Sequence, residues 1–197
     1  MQIPNNDKSF GVSRVLISED EIRGVIGEMA RELDAEYRND TPLLICVLRG
    51  AVSFMADLVK EMSIPVEMDF MAISSYGNAT KSSGVVRILK DLDDEISGRR
   101  LIVVEDIVDS GLTLQYLLDH LSRRDPKDIR VVAMVKKDKP DAIDVQVDRV
   151  GFNVPDEFVV GYGLDYQGKY RNLPYIGILD PSVYTNVHST GVDAEFE

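Results

Sequence analysis

Apolar residues recur along this chain at helical spacing or in continuous runs, separated by polar breaks, and each pattern predicts an element. Ile22, Val25, Ile26, Met29 and Leu33 fall on one face of a helix. Ser18 and Glu21 have the Ser-x-x-Glu spacing of a box that caps such a helix at its start. Thr41-Pro42 closes that segment, and Leu43–Leu48 is an unbroken apolar run, the pattern of a strand covered on both faces. After Arg49-Gly50 a second helix carries Phe54, Met55, Leu58, Val59 and Met62 on one face. Residues 66–73 read as a strand, and residues 74–84, SSYGNATKSSG, as a polar loop. Strands are expected again at 85–89 and 101–107. A helix follows the second, aligning Leu114, Leu117, Leu118 and Leu121. Further strands are expected at 131–135, 158–160 and 176–179, and the polar tail from Thr185 is expected to fray. Strands alternating with amphipathic helices predict an α/β fold with a mainly parallel sheet. No repeat or linker interrupts the chain. The shorter elements after Lys136 suggest a small subdomain.

Composition narrows the class. In 197 residues, 44% are hydrophobic and 28% charged, enough for one domain with a packed core. A net charge of -12 argues against a nucleic-acid binder, which usually carries a basic face. Residues 1–7 hold no apolar run of the signal-peptide kind, and no window approaches the roughly 18 apolar residues that span a bilayer. The single cysteine, Cys46, has no internal disulfide partner and sits in the run LLICVL, so it reads as a buried thiol. The expectation is a soluble cytoplasmic protein with no nucleic-acid or membrane partner.

The densest chemistry lies in VVEDIVDSGLT, residues 103–113. A strand runs into Glu105, Asp106 and Asp109, and then into small and hydroxylated residues that open a helix. Ligands of open α/β sheets bind beyond the carboxyl ends of strands. Unpaired N–H groups at a helix start favour an anion. Gly111 allows close backbone approach, and Ser110 and Thr113 add hydroxyl donors, so the segment suits one phosphate. It is not a Walker loop, because G-x-x-x-x-G-K-[ST] is absent. Carboxylates would repel a phosphate, so they make sense facing ribose hydroxyls or a divalent cation. The plainer alternative is a solvated acidic turn with Asp109 as a helix cap.

The run EDIVDSGLT at 105–113 resembles the phosphoribosyl-pyrophosphate motif of type I phosphoribosyltransferases, in the form found in the 6-oxopurine enzymes, the hypoxanthine(-guanine) phosphoribosyltransferases. VLRGA at 47–51, SSYG at 74–77, ILKDLD at 88–93, VPDEFVVGYGLDY at 154–166 and YRNLPYIG at 170–177 agree in order, with Val154 where the family has Ile. The resemblance spans roughly residues 10–181. It implies one domain over residues 1–197, with a core at about 15–136 and a small hood from the N-terminal segment and about 137–181. The sheet is implied to be mainly parallel and flanked by helices.

The implied reaction is purine salvage. The 5-phosphoribosyl group of phosphoribosyl pyrophosphate passes to hypoxanthine, and to guanine, giving IMP or GMP and pyrophosphate with Mg2+. The resemblance implies Asp109 as general base or acid at the purine N7. It implies a 5'-phosphate cradle of Asp109, Ser110, Gly111, Leu112 and Thr113, with Leu112 giving only its N–H. Glu105 and Asp106 would hold the ribose hydroxyls and the metal shell, with Asp165 as a second metal contact on the purine side. Arg49, Gly50 and Arg171 would hold pyrophosphate, with a cis peptide before the glycine. Ser75 and Tyr76 would tip a mobile lid. Phe158 would stack on the purine and Val159 would offer backbone groups to its edge.

A lysine donating to the 6-oxo group is also implied. Counting from Asp109 and from Phe152 selects Lys137, whereas the text Asp138-Lys139-Pro140 selects Lys139. Lys136 is set aside by strand alternation. His120 and His188 match no role, and a homodimer or homotetramer is implied. A regulator that merely senses phosphoribosyl pyrophosphate would be expected to have lost Asp109 or the lid, or to have gained a basic domain. An enzyme for another base would be expected to lack the lysines and Phe158.

Overall fold

A computed structural model describes residues 10–76 and 85–185, the side chains of Ser75, Tyr76 and Val85 excepted. Its elements are β1 (Val12–Ile17), α1 (Glu19–Glu36), β2 (Leu43–Leu48), α2 (Val52–Glu61), β3 (Glu67–Tyr76), β4 (Val85–Lys90), β5 (Arg100–Val108), α3 (Leu112–Ser122), β6 (Asp128–Lys137), β7 (Arg149–Val154), β8 (Val159–Val160), β9 (Ile176–Leu179) and α4 (Pro181–Thr185). A six-stranded sheet has the order β4-β3-β2-β5-β6-β7. It is parallel except for β4, which pairs antiparallel with β3. A three-stranded antiparallel sheet, β1-β9-β8, is separate from it.

The apolar run of β2 is explained by cover on both faces. Leu44 and Cys46 pack with Ile22, Ile26 and Met29 of α1 and with Phe54 and Leu58 of α2. Leu43, Ile45 and Val47 point the other way, toward Leu114, Leu117 and Leu121 of α3. Cys46 is buried, and burial pushes its thiol up to about 12. The box at the start of α1 is closed in both directions: Glu21 N–H donates to Ser18 Oγ, and Ser18 N–H to the Glu21 carboxylate.

Two strands were not foreseen. β1 carries Ser13 and Arg14 between its apolar residues, and its partner β9 lies at the far end of the chain. β7, Arg-Val-Gly-Phe-Asn-Val, is an edge strand with a glycine inside it. It pairs with β6, so the small sheet draws only on strands within residues 12–17 and 159–179. Ser74, Ser75 and Tyr76 continue β3 instead of belonging to the expected loop. Residues 77–84 of that loop, the side chains of Ser75 and Tyr76, and the tail from 186 with His188 lie outside the described residues. Among the described residues no helix is long and apolar enough to cross a membrane.

The sheet order reverses beside β2: the chain passes outward to β3 and β4, then returns on the other side through β5 to β7. The carboxyl ends of β2 and β5 therefore flank a switch point, where such sheets leave a crevice.

Candidate active site

A cleft of about 480 Å³ opens at that point. The turn after β2, the end of β5 and the start of α3 line it, and Asp165 and Arg171 close it from the segment before β9. Gly111 stands at the helix cap with φ +79°, a left-handed conformation that glycine adopts freely. No side chain caps α3, so the first amides of the helix are open to an anion. The loop is held from behind: Ile143 N–H donates to Ser110 C=O at 2.9 Å, and Ile143 C=O stands 2.8 Å from where a Gly111 Cβ would be.

Gly50 sits at the other wall. A Cβ there would overlap the Asp106 carboxylate, and a Cβ on Gly163 would overlap Gly50 C=O. Three backbone segments thus meet where only glycine fits. The cis peptide of this turn is Leu48-Arg49, one bond before the Arg49-Gly50 position implied by the resemblance. Arg49 is exposed and lines the cleft. Tyr162, at φ +50°, ties the Gly161–Leu164 turn to α2: its hydroxyl donates to Asp57 Oδ2 at 2.8 Å. Burial and that carboxylate push the Tyr162 phenol far up. Arg171 donates to Gly163 C=O at 2.6 Å and pairs with Asp165 at 2.5 Å, and Asp165 also accepts from Gly168 N–H at 2.7 Å.

Glu105 and Asp106 are adjacent on β5 and differ in setting. Glu105 is buried, and desolvation, then the Asp106 charge, push its carboxyl well up. Asp106 faces Gly50. Burial raises its carboxyl to about 6 against the opposing pull of the Ile107 N–H bond and Arg171, with Asp165 adding to the rise. Both carboxyls therefore favour an added cation. Among the described residues no three carboxylate, histidine or cysteine groups converge into a ready-made metal cage. Asp106 and Asp165, near enough to sense each other's charge, fit an ion such as Mg2+ that takes one or two carboxylates and completes its shell with water and substrate phosphate. Glu105 is too enclosed to do more than support them.

At the other end of the cleft, Asp109 meets both candidate lysines. Lys139 Nζ is 2.6 Å from Asp109 Oδ1, and Lys137 Nζ is 3.9 Å from Oδ2. Asp156 Oδ1 faces the same two ammonium groups, at 3.2 Å from Lys139 and 3.5 Å from Lys137. Residue counting and local text had each favoured one lysine, and the structure brings both to Asp109. Lys136 is in neither set of ion pairs. The Asp109 hydrogen bond, more than the opposing desolvation, holds the Lys139 ammonium above its ordinary range.

Phe158 is partly exposed, as a stacking surface must be. Its ring meets Tyr166 edge-on at 5.5 Å and lies tilted against Tyr184 at 5.3 Å. Val159 is buried and paired with Ile178. Asp156, Tyr162, Gly163, Ile143 and Tyr184 were not anticipated. Only the quoted text around residues 154–166 hinted at the first three. His120, which matched no role, pairs with Asp91 at 3.0 Å at the surface and does not line the cleft.

Comparison with known proteins adds to this geometry. A family model described as "Phosphoribosyl transferase domain" matches residues 16–167. The chain is 53% identical over 173 residues to the hypoxanthine-guanine phosphoribosyltransferase of Bacillus subtilis, covering 88% of this chain and 96% of that one. The enzyme of the same name from Mycobacterium avium is 51% identical over 181 residues, covering 88% of each. A crystal structure of a hypoxanthine phosphoribosyltransferase from Staphylococcus aureus superposes with a TM-score of 0.86 at 37% identity, covering 93% of this chain and all of that one.

Proposed function

This chain belongs to the phosphoribosyl transferase family, and we propose from that premise how its residues carry out purine salvage. It is a hypoxanthine-guanine phosphoribosyltransferase, transferring the 5-phosphoribosyl group of phosphoribosyl pyrophosphate to a 6-oxopurine with release of pyrophosphate. The observation that carries the reading is the cleft itself. An open helix start at residues 109–113 and an acidic pair at 105–106 lie within one crevice at the switch point of the sheet.

The bond from ribose C1 to the pyrophosphate oxygen breaks, the bond from C1 to purine N9 forms, and a proton leaves N7. Asp109, at the mouth of β5, takes that proton. The amides of residues 110–113, with the Ser110 and Thr113 hydroxyls, hold the 5'-phosphate. Asp106, backed by the buried Glu105, faces the ribose hydroxyls. Arg171, oriented by Asp165 and Gly163, meets the leaving pyrophosphate together with the Arg49-Gly50 turn. Asp106 and Asp165 would hold Mg2+, which would supply positive charge against the pyrophosphate. Phe158 stacks on the base, Val159 lies at its edge, and a lysine ammonium donates to the 6-oxo group and disfavours the amino group of adenine. Ser75 and Tyr76, at the end of β3, would serve the lid that excludes water.

A hood built by the N-terminal segment and residues after 137 belongs to the proposal, and the separate sheet β1-β9-β8 is in keeping with it. A homodimer or homotetramer in the cytoplasm completes the proposal, in keeping with a single, buried cysteine. The test is a panel of hypoxanthine, guanine, xanthine, adenine and uracil with phosphoribosyl pyrophosphate and Mg2+. IMP and GMP formation is expected, and product from adenine or uracil alone would overturn the reading.

A further inference from the structure

Asp109, Lys139, Asp156 and Lys137 form a closed ring of alternating charge, each ammonium touching both carboxylates. The ring is uneven. Asp109 Oδ1 is held by Lys139 at 2.6 Å, whereas Asp156 stands farther off, at 3.2 Å. An ammonium at that distance takes one acceptor site of Oδ1 and occupies the approach to it, so an incoming N7–H must compete with Lys139 for this carboxylate. The backbone around Lys139 is fixed: its N–H donates to Lys137 C=O at 3.1 Å, its C=O accepts from Ala142 at 3.3 Å, and Asp138 N–H donates to Val154 C=O at 2.9 Å. Any release of Asp109 is therefore a swing of the lysine side chain, and Asp156 is the other carboxylate within its reach.

We propose that Asp156 is a positioning residue of the base site: it takes over the Lys139 ammonium as the purine binds, which frees Asp109 to accept the N7 proton. This rests on Asp109 being the proton acceptor. Asp156 suits the part because it is half exposed and lies between β7 and Phe158. A charge there can gain and lose a partner at little desolvation cost, whereas Lys137 is nearly enclosed. Lys139 is then a competitor for Asp109 that the enzyme manages, and Asp156 is what manages it.

The experiment is a double-mutant cycle with phosphoribosyl pyrophosphate, Mg2+ and saturating hypoxanthine, reading the single-turnover rate of IMP formation. Asp156→Asn leaves Lys139 on Asp109, so the rate is expected to fall about 10-fold, the size of one charge-assisted hydrogen bond. The KM for phosphoribosyl pyrophosphate and the melting temperature should not move. Asp156→Glu should recover most of the rate. Adding Lys139→Met to Asp156→Asn removes the competitor, and the double variant should run several-fold faster than Asp156→Asn alone. A double variant no faster than Asp156→Asn, or an Asp156→Asn protein as fast as wild type, overturns the proposal. Asp109→Asn is run beside them. Full turnover in that variant would instead sink the proton-acceptor reading, so the two failures are distinguishable.

Discussion

Among single residues, Asp106 inside β5 and Asp109 just beyond its end show how position separates two carboxylates. Asp109 is half exposed at the cleft mouth, while Asp106 is wedged against Gly50. Asp109→Asn keeps the shape and removes the proposed base, so turnover should fall about 10² to 10⁴-fold. Initial rates against substrate concentration should show little change in the requirement for phosphoribosyl pyrophosphate. Asp106 behaves differently because burial raises its carboxyl to about 6, from an ordinary value of about 3.9. Between those values the folded chain binds one more proton than the unfolded chain, so its contribution to stability falls as pH rises. Asp106→Asn should therefore stabilise the ligand-free protein at pH 7.5 by on the order of 2 kcal/mol, and much less at pH 4. Thermal melts at the two pH values check this. The same variant should need more phosphoribosyl pyrophosphate and Mg2+ in the assay, a cost of function traded for stability. On the proposal that Lys137 is the lysine donating to the 6-oxo group, Lys137→Ala should weaken hypoxanthine use roughly 10- to 100-fold and erode discrimination against adenine, the cost of one charged hydrogen bond.

Each element of the site depends on the element that faces it. The turn joining β2 to α2 and the Gly161–Leu164 turn interpenetrate at Gly50 and Gly163, and Asp106 of β5 fills the remaining space. Gly50→Ala must push this turn off Asp106. A displacement of about 1 Å at a reacting centre costs about 10²-fold in rate. Activity should fall by at least that factor, with the circular dichroism of the fold retained. Wild-type activity in Gly50→Ala would mean that the turn is looser than the packing indicates. The helix α3 is shielded by contrast. Leu114, Leu117 and Leu121 are buried against β2 and its first turn faces the cleft, so changes on its outer face should leave catalysis alone.

Across the whole molecule, a chain of net charge -12 must bind a substrate that is itself strongly anionic. On the proposed reading, Arg49, Arg171 and the open start of α3 would meet it in the cleft, and Mg2+ would lower the charge of the incoming pyrophosphate. Binding to the folded state alone stabilises it by mass action. At 100 times Kd the gain is about 2.7 kcal/mol, or roughly 5 to 10 °C in Tm for a domain of this size. Scanning calorimetry with phosphoribosyl pyrophosphate and Mg2+ should show that rise, and EDTA should remove most of it. An equal rise without the metal would contradict shared binding through Asp106 and Asp165.

The sequence by itself determined what depends on neighbours a few positions away. Helical spacing located α1, α2 and α3, the Ser18–Glu21 box opened α1, and the apolar run of β2 had the observed bounds. The acidic strand end with its small-residue loop marked the cleft, because that chemistry is written contiguously in residues 105–113. Tertiary structure decided what depends on residues far apart in the chain. β1 is a strand because β9, more than 150 residues later, pairs with it. Asp106 is raised because Gly50 and its turn bury it, and both lysines reach Asp109 because β6 is parallel to β5 with Val108 opposite Lys136. Asp156 joins them because β7 lies beside β6, with Val154 opposite Lys137. Periodicity and capping are local properties of a polypeptide, whereas burial, pKa and charge pairing are set by which distant segments share the same few ångströms.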